Sequence, residues 1–389
     1  MTLKKIVAVT GARSEYDLMY SVYKKLDEAA EIQFKILITG PHLSEKYGYT
    51  ARFVEDDGFE IADKLFNLLD TDSKLGRVSS IGAQIPLLAH SLIREKPDLV
   101  IVAGDREEAI SVTLTCAYLG IACAHFFGGD IAKDGNVDNA VRYASGKLAS
   151  LHFVTLEEHR QTLLKLGEDD WRIFVIGNPA LDRILSIQTV SKGAVLNEMG
   201  VQDSSAEPYF VLIQHSIITE TELQDRHVRQ TLDAVISSGH RCFINYPNSD
   251  AGNQAIINAY LEYEQKYPSI FRTFKNLNRN LFVNLMRNAS GLLGNSSAGI
   301  LEAPSFGLPV VNIGQRQRGR THSTNVIFVD NSKDQIEAAI SKILNDEVFI
   351  ANCRNCINPY GNGHSSERVL EIVKSLTINK NLIFKNITY

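Results

Sequence analysis

Leu292-Leu293-Gly294-Asn295-Ser296-Ser297-Ala298-Gly299-Ile300-Leu301-Glu302 carries an apolar run into a Gly-Asn-Ser-Ser turn and then a helix-compatible segment. Strand, tight turn and helix in that order form the repeating unit of a doubly wound α/β sheet. The turn also has chemistry. Backbone N–H groups at a helix start have no intrahelical acceptor and attract phosphate. The Ser296 and Ser297 hydroxyls add uncharged donors. Glu302, five residues past Ser297, is expected about one and a half turns into the helix, where a carboxylate can meet a ribose or sugar hydroxyl. An ordinary Ser N-cap would have the same sequence. Gly307-Leu308-Pro309-Val310-Val311-Asn312 then turns into the next strand.

Outward from this stretch the pattern repeats. Tyr209–Ile213, Cys242–Asn245, Gly291–Leu293 and Val310–Ile313 are expected strands, with helices between and after them. The first half alternates in the same way, with strands expected at Ile6–Thr10, Phe34–Thr39, Leu99–Ala103 and Ile121–His125. Alternation of this kind implies parallel sheets covered on both faces. The expected fold is α/β, with two Rossmann-like doubly wound domains facing a central cleft. Residues 1–185 form the first and 186–363 the second. A helix and tail over 364–389 are expected to pack back on the first domain. No sequence repeat links the halves.

A chain of 389 residues is longer than one hydrophobic core usually organises, which agrees with two domains. With 44% hydrophobic and 22% charged residues it reads as a soluble globular protein. A net charge of −5 argues against a nucleic-acid partner. The apolar run after Lys4-Lys5 is too short for a signal peptide, and no run is long enough to span a membrane. Five cysteines without a framework point to reduced thiols and a cytoplasmic setting. Cys353 and Cys356 form a lone C-x-x-C with no second pair to complete a zinc site.

Polar groups gather where the expected strands end. The first strand ends in Thr10-Gly11-Ala12-Arg13, whose guanidinium can fork onto a phosphate or carboxylate. The second ends in Thr39-Gly40-Pro41-His42, the next in Gly104-Asp105-Arg106, and the next in His125-Phe126-Phe127-Gly128-Gly129-Asp130. Asp138 and Arg142 follow four residues apart, on one helical face. Taken singly, Asp105 and Asp130 could be helix caps, and Asp138–Arg142 a solvated ion pair. Gathered at one end of a sheet, they suit proton transfer. In the second half Gln214-His215 ends a strand, and Arg316, Arg318 and Arg320 follow another. Three such cations can neutralise a diphosphate or form a plain surface run. No G-x-G-x-x-G loop and no metal-spaced Cys/His cluster is present, so neither NAD nor a metal is expected.

These segments, in this order and over nearly the whole chain, resemble the hydrolysing UDP-N-acetylglucosamine 2-epimerases, most nearly the bacterial sialic-acid-pathway branch. Thr10 to Tyr16, Gly40-Pro41-His42-Leu43-Ser44, Gly104-Asp105-Arg106, His125 with Gly128-Gly129-Asp130, Asp138 with Arg142, Gly294-Asn295-Ser296-Ser297 with Glu302, Gly314 to Arg320, and Tyr360-Gly361-Asn362-Gly363 carry the resemblance. It implies a glycosyltransferase-B-like fold, a UDP-sugar substrate with UDP as product, no cofactor, and a homodimer or homotetramer. The implied reaction is anti elimination of UDP with loss of the C2 proton, then syn hydration of the glycal to free N-acetylmannosamine. By position, Asp105, Asp138 and His215 fall on acid/base places. Arg13, Ser296, Ser297 and Arg316, with Arg320 nearby, fall on nucleotide- and phosphate-handling places, and Glu302 on a ribose contact. His42, Arg106, His125, Asp130 and Arg142 fall on sugar-pocket or supporting places.

The chain departs from the family pattern at Phe127, where many members carry a carboxylate. It departs again at Asn139, Tyr143 and Ser216, where a second acid, a His and a Pro are common. Phe127 suits a less polar pocket. The same chemistry on UDP-2,4-diacetamido-2,4,6-trideoxyglucose, the legionaminic-type substrate, is therefore a second expectation. A UDP-sugar-binding protein that has lost turnover is a third.

Overall fold

The computed structural model describes residues 3–69, 73–131, 137–201, 207–247, 252–275 and 277–385. The chain divides into two compact units. One is Met1–Arg183 with Tyr360–Tyr389, the other Ile184–Pro359.

In the first unit the strands are β1 (Lys4–Thr10), β2 (Ile32–Thr39), β3 (Ile61–Leu65), β4 (Leu99–Ala103), β5 (Ala122–Phe126), β6 (Leu151–Val154) and β7 (Ile173–Val175). All are parallel, in the order β3-β2-β1-β4-β5-β6-β7. Strands alternate their side chains between faces. Ile6 and Ala8 join one core with Tyr16, Met19, Tyr23, Ile36 and Ile101. Val7 and Val9 join the opposite core with Leu88, Leu92, Val100, Val102 and Val112. Both faces of β1 are therefore buried, which explains its unbroken apolar run. The order reverses between β1 and β4, so the loops leaving these two strands splay apart and open a crevice at their carboxyl ends.

The last segment completes this unit. Helix Ser365–Ser375 places Val369 and Val373 in the core of Ile6 and Ala8. Beyond it, the buried Arg172 guanidinium donates to the carbonyls of Ser150, Asn381, Leu382 and Phe384 at 2.7–3.0 Å. Lys385 donates to the carbonyls of Gly146 and Ala149.

The second unit has β8 (Tyr209–Ile213), β9 (Arg241–Asn245), β10 (Phe271–Phe274), β11 (Gly291–Gly294), β12 (Val310–Ile313) and β13 (Val326–Val329). These are again all parallel, in the order β10-β9-β8-β11-β12-β13. Its reversal lies between β8 and β11, the strands that lead to His215 and to the Gly-Asn-Ser-Ser turn. Both units thus have the doubly wound α/β form expected from the sequence.

Burial pushes the Cys353 thiol up to about 11, and the Cys356 thiol donates to the Pro304 carbonyl. Among the described residues no helix is long and apolar enough to cross a membrane.

Candidate functional site

In the first unit the loops after β1, β2, β4 and β5 bring most of the expected residues to one end of the sheet. Asp105 follows β4 directly. Its carboxylate pairs with Arg142, which reaches over from helix Asp138–Leu148. Arg142 also donates to the Asp130 carbonyl at 2.8 Å and to Asn139 Oδ1 at 3.4 Å. The partner of Arg142 is thus Asp105, 37 residues earlier in the chain, as well as groups on its own helix and the preceding loop. The guanidinium is buried, so the pair is poorly screened and both groups are held in place. Asp138 opens the same helix and is half-buried.

His125 is the penultimate residue of β5 and is fully buried. Its Nε2 donates to the Gly104 carbonyl at 2.7 Å, which fixes the tautomer and ties β5 to the loop carrying Asp105. Burial holds this imidazole down at about 4, so it is neutral at pH 7. His42 is fully buried too. Its ring nitrogens lie 3.2 Å from Thr10 Oγ1 and 2.8 Å from Thr50 Oγ1. Burial again brings the imidazole to about 4. Both histidines brace loops and present no face to solvent. Arg13 and Arg106 are about half exposed. Arg13 lies 3.7 Å from Asp17 and over the Phe53 ring, and Arg106 Nε lies 3.7 Å from Glu108. Asp130 accepts from the Ile131 amide and lies 3.5 Å from His159.

Phe127 adopts φ +65°, an outlier for a bulky residue. Its neighbours require it. A Cβ on Gly128 would lie 3.3 Å from His125 Nδ1, and one on Gly129 would lie 2.1 Å from the His159 carbonyl oxygen. The loop is therefore pressed flat against two histidines, and Phe127 absorbs the turn with its ring packed near Phe126.

In the second unit one residue, Asn295, organises the site through its side chain and its main chain. Asn295 Oδ1 accepts from the His215 amide at 2.6 Å, and Asn295 Nδ2 donates to the His215 carbonyl at 2.9 Å. The Asn295 carbonyl accepts from Arg316 at 3.2 Å and from Gln317 at 3.0 Å. The turn, the His215 loop and the Arg316 loop are thus pinned together. Gly294 has φ +109°, and a Cβ there would lie 2.2 Å from the Ile213 carbonyl oxygen. Only glycine lets the turn come this close. The cations divide. Arg316 reaches the turn, Arg318 pairs with Asp330 at 2.9 Å, and Arg320 is exposed.

The helix after the turn is shorter than expected. Ala298–Leu301 is a single turn, and a 3₁₀ turn over Ala303–Phe306 follows. Pro304 has no N–H to continue the α-helical ladder and stops it there. Glu302 therefore sits at the helix end and not inside it, half-buried. Burial raises its carboxyl, and the charge of Arg279 acts the other way. So short a helix adds little dipole, so local donors must carry any anion binding. Ser297 makes no side-chain cap bond, while Ser296 Oγ accepts from the Ala298 amide at 3.3 Å.

Sequence reading passed over two acids in the first unit. Glu15 lies inside the first strand-end motif and Glu108 three residues past Asp105, and both are buried. The available signal was a charged residue on the buried face of a helix otherwise apolar there. It also passed over His159, whose carbonyl sets the close approach at Gly129.

The UDP-N-acetylglucosamine 2-epimerase family model matches residues 24–374. A UDP-N,N'-diacetylbacillosamine 2-epimerase (hydrolyzing) of Legionella pneumophila is 32% identical, with 98% of this chain and 99% of the relative covered. A UDP-N-acetylglucosamine 2-epimerase of Neisseria meningitidis is 27% identical over 96% of each chain. Among solved structures, the Neisseria meningitidis UDP-GlcNAc 2-epimerase bound to UDP-GlcNAc superposes with a TM-score of 0.77 at 20% identity, over 96% of this chain and all of that one.

Proposed function

The chain belongs to the UDP-N-acetylglucosamine 2-epimerase family, and we propose that it is a hydrolysing member that converts a UDP-linked 2-acetamido sugar to the free 2-epimer and UDP. The observation that carries this proposal is the Asn295 clamp. Asn295 ties the backbone of the His215 loop through its side-chain amide and the Arg316 guanidinium through its main-chain carbonyl, so the His215 loop, the hydroxyl turn and Arg316 are held together at the end of the second sheet. Departure of a phosphate needs donors for the developing charge, and an acid–base group must work beside them.

In the first step a base removes the C2 proton. The C–H electron pair becomes the C1–C2 double bond, and the C1–O bond breaks with its pair going to UDP. In the second step water adds across the glycal, its oxygen to C1 and a proton to C2. Asp105, Asp138 and His215 are the proton-transfer groups. Arg142 holds the Asp105 carboxylate in place, and His125 fixes the loop that carries it. Ser296, Ser297 and Arg316 take the diphosphate, Glu302 the ribose, and Arg13 and Arg320 add positive charge. His42, Arg106 and Asp130 support the sugar end.

UDP-N-acetylglucosamine is the first candidate substrate, with N-acetylmannosamine as product. The diacetamido-trideoxy relative is the second, and two observations favour it. The diacetylbacillosamine enzyme is the more similar of the two relatives, 32% against 27%. Phe127 also places a ring where a carboxylate is common. Incubating the purified protein with each UDP-sugar, and following UDP release together with NMR of the sugar, tests both. UDP release from either supports the reaction, and the faster sugar identifies the substrate. Tight UDP binding with no release from either would make the chain a binding protein.

A further inference from the structure

Glu15 and Glu108 take no part in the reaction as described, yet they lie where the first sheet reverses. Glu15 is on the first turn of helix Arg13–Asp27, after β1, and Glu108 is on the first turn of helix Glu107–Leu119, after β4. They are 7% and 3% exposed. Among the described residues neither carboxyl oxygen of Glu15 has a hydrogen-bond partner, nor does Oε2 of Glu108. The other oxygen of Glu108 is wedged against backbone. A Cβ on Gly11 would lie 2.2 Å from it, and one on Gly40 2.4 Å. One carboxyl therefore touches the loops after β1 and β2 while standing on the helix after β4.

The charge balance around the two acids is unfavourable. Arg106, 3.7 Å from Glu108, is half exposed and so weakly held as a counterion. Arg77 is more distant and pairs with Glu107. Asp105 adds negative charge, though Arg142 neutralises it. The buried Tyr23 hydroxyl is neutral and has no hydrogen-bond partner among the described residues, and His42 is neutral at pH 7. The Gly11 backbone favours a charge on Glu15, but two buried carboxylates facing this set would still repel each other.

We propose that Glu15 and Glu108 hold at least one proton between them at neutral pH, and that this neutral pair is a positioning element fixing the loops that carry Arg13, His42 and Asp105. Burial raises both carboxyls, and the neighbouring Glu108 raises Glu15 further, in line with this geometry. A second negative charge would push Glu108 off the Gly11 and Gly40 backbones and loosen all three loops together. A misplacement of about 1 Å costs on the order of 10²-fold in rate.

Infrared titration of the full chain tests the protonation independently of turnover. The wild type is expected to keep a protonated-carboxyl band at pH 7 that Glu15→Gln or Glu108→Gln removes or shifts. Melting is a second readout. A carboxyl raised on folding contributes stability below its unfolded value, and that stability is lost as pH rises through the folded value. Above pH 6.5, where the buried histidines are neutral folded and unfolded alike, wild-type melting should therefore fall with rising pH, and Glu108→Gln should flatten that slope. For positioning, Glu108→Ala should lower kcat at least ~10-fold. Glu108→Gln, neutral and of the same shape, should recover most of that loss and remove the alkaline decline. No protonated band at pH 7, or the same melting slope in both Gln variants as in the wild type, would overturn the proposal. So would a Glu108→Gln variant as slow as Glu108→Ala. If no UDP-sugar is turned over, the infrared and melting results still decide the question.

Discussion

Asp105 and Arg142 show how a single contact defines a role. The carboxylate sits on a strand end and the guanidinium on a later helix, and their pairing keeps the carboxylate aimed. Asp105→Asn and Asp138→Asn should each lower kcat by about 10²–10⁴-fold while UDP still binds, as should His215→Ala in the second unit. Isothermal titration with UDP alongside steady-state rates checks this. Near-wild-type rates in all three would remove them from the proton-transfer steps. His42 and His125 make a different statement. Both are held near 4 when folded, against about 6.5 when unfolded. Their contribution to stability is therefore present above pH 6.5 and is lost as pH falls toward 4. Each unit of lowering is worth about 1.4 kcal/mol. His125→Gln should be less stable than the wild type at pH 7 and lose less on going to pH 5. Equal losses in chemical denaturation at the two pH values would show that His125 does not titrate on unfolding.

At the scale of elements, the Gly-Asn-Ser-Ser turn works through its neighbours. Asn295→Ala removes both bonds to the His215 backbone and should lower kcat, while Ser296→Ala and Arg316→Ala should each weaken UDP binding by roughly 1–3 kcal/mol. Titration calorimetry measures the binding losses, and unchanged affinity in both variants would move the diphosphate away from this turn. The sequence made this element visible because Gly294, two hydroxyls and an apolar strand coincide within it. It did not show where the helix ends, because the break comes from Pro304 acting on a ladder begun six residues earlier. Strands buried on both faces, such as β1, β4 and β8, were legible as apolar runs. The flank strands β3, β10 and β13 were not. Ile61-Ala62-Asp63-Lys64-Leu65 and Phe271-Arg272-Thr273-Phe274 mix polar residues into four or five positions, and β13 is a four-residue run in an otherwise polar stretch. Asp105 and His215 stood out at strand ends and Asp138 on a helix face, and the family resemblance supplied their acid–base roles. Glu15 and Glu108 did not stand out, because their meaning depends on two glycine backbones far away in sequence.

At the scale of the whole chain, residues 360–389 belong to the first unit, and Arg172 anchors their end. Arg172→Ala would leave four carbonyls without this donor and should cost roughly 3–5 kcal/mol. Hydrogen exchange should rise first over residues 379–385. A loss below about 0.5 kcal/mol with unchanged exchange would mean that the tail is held by other contacts. The reaction itself is tested most directly by turnover in deuterated water. Following sugar and nucleotide together by NMR should show one UDP for each free sugar, with inversion and deuterium at C2. No UDP release, or hydrogen fully retained at C2, would contradict elimination and hydration as the reaction of this chain.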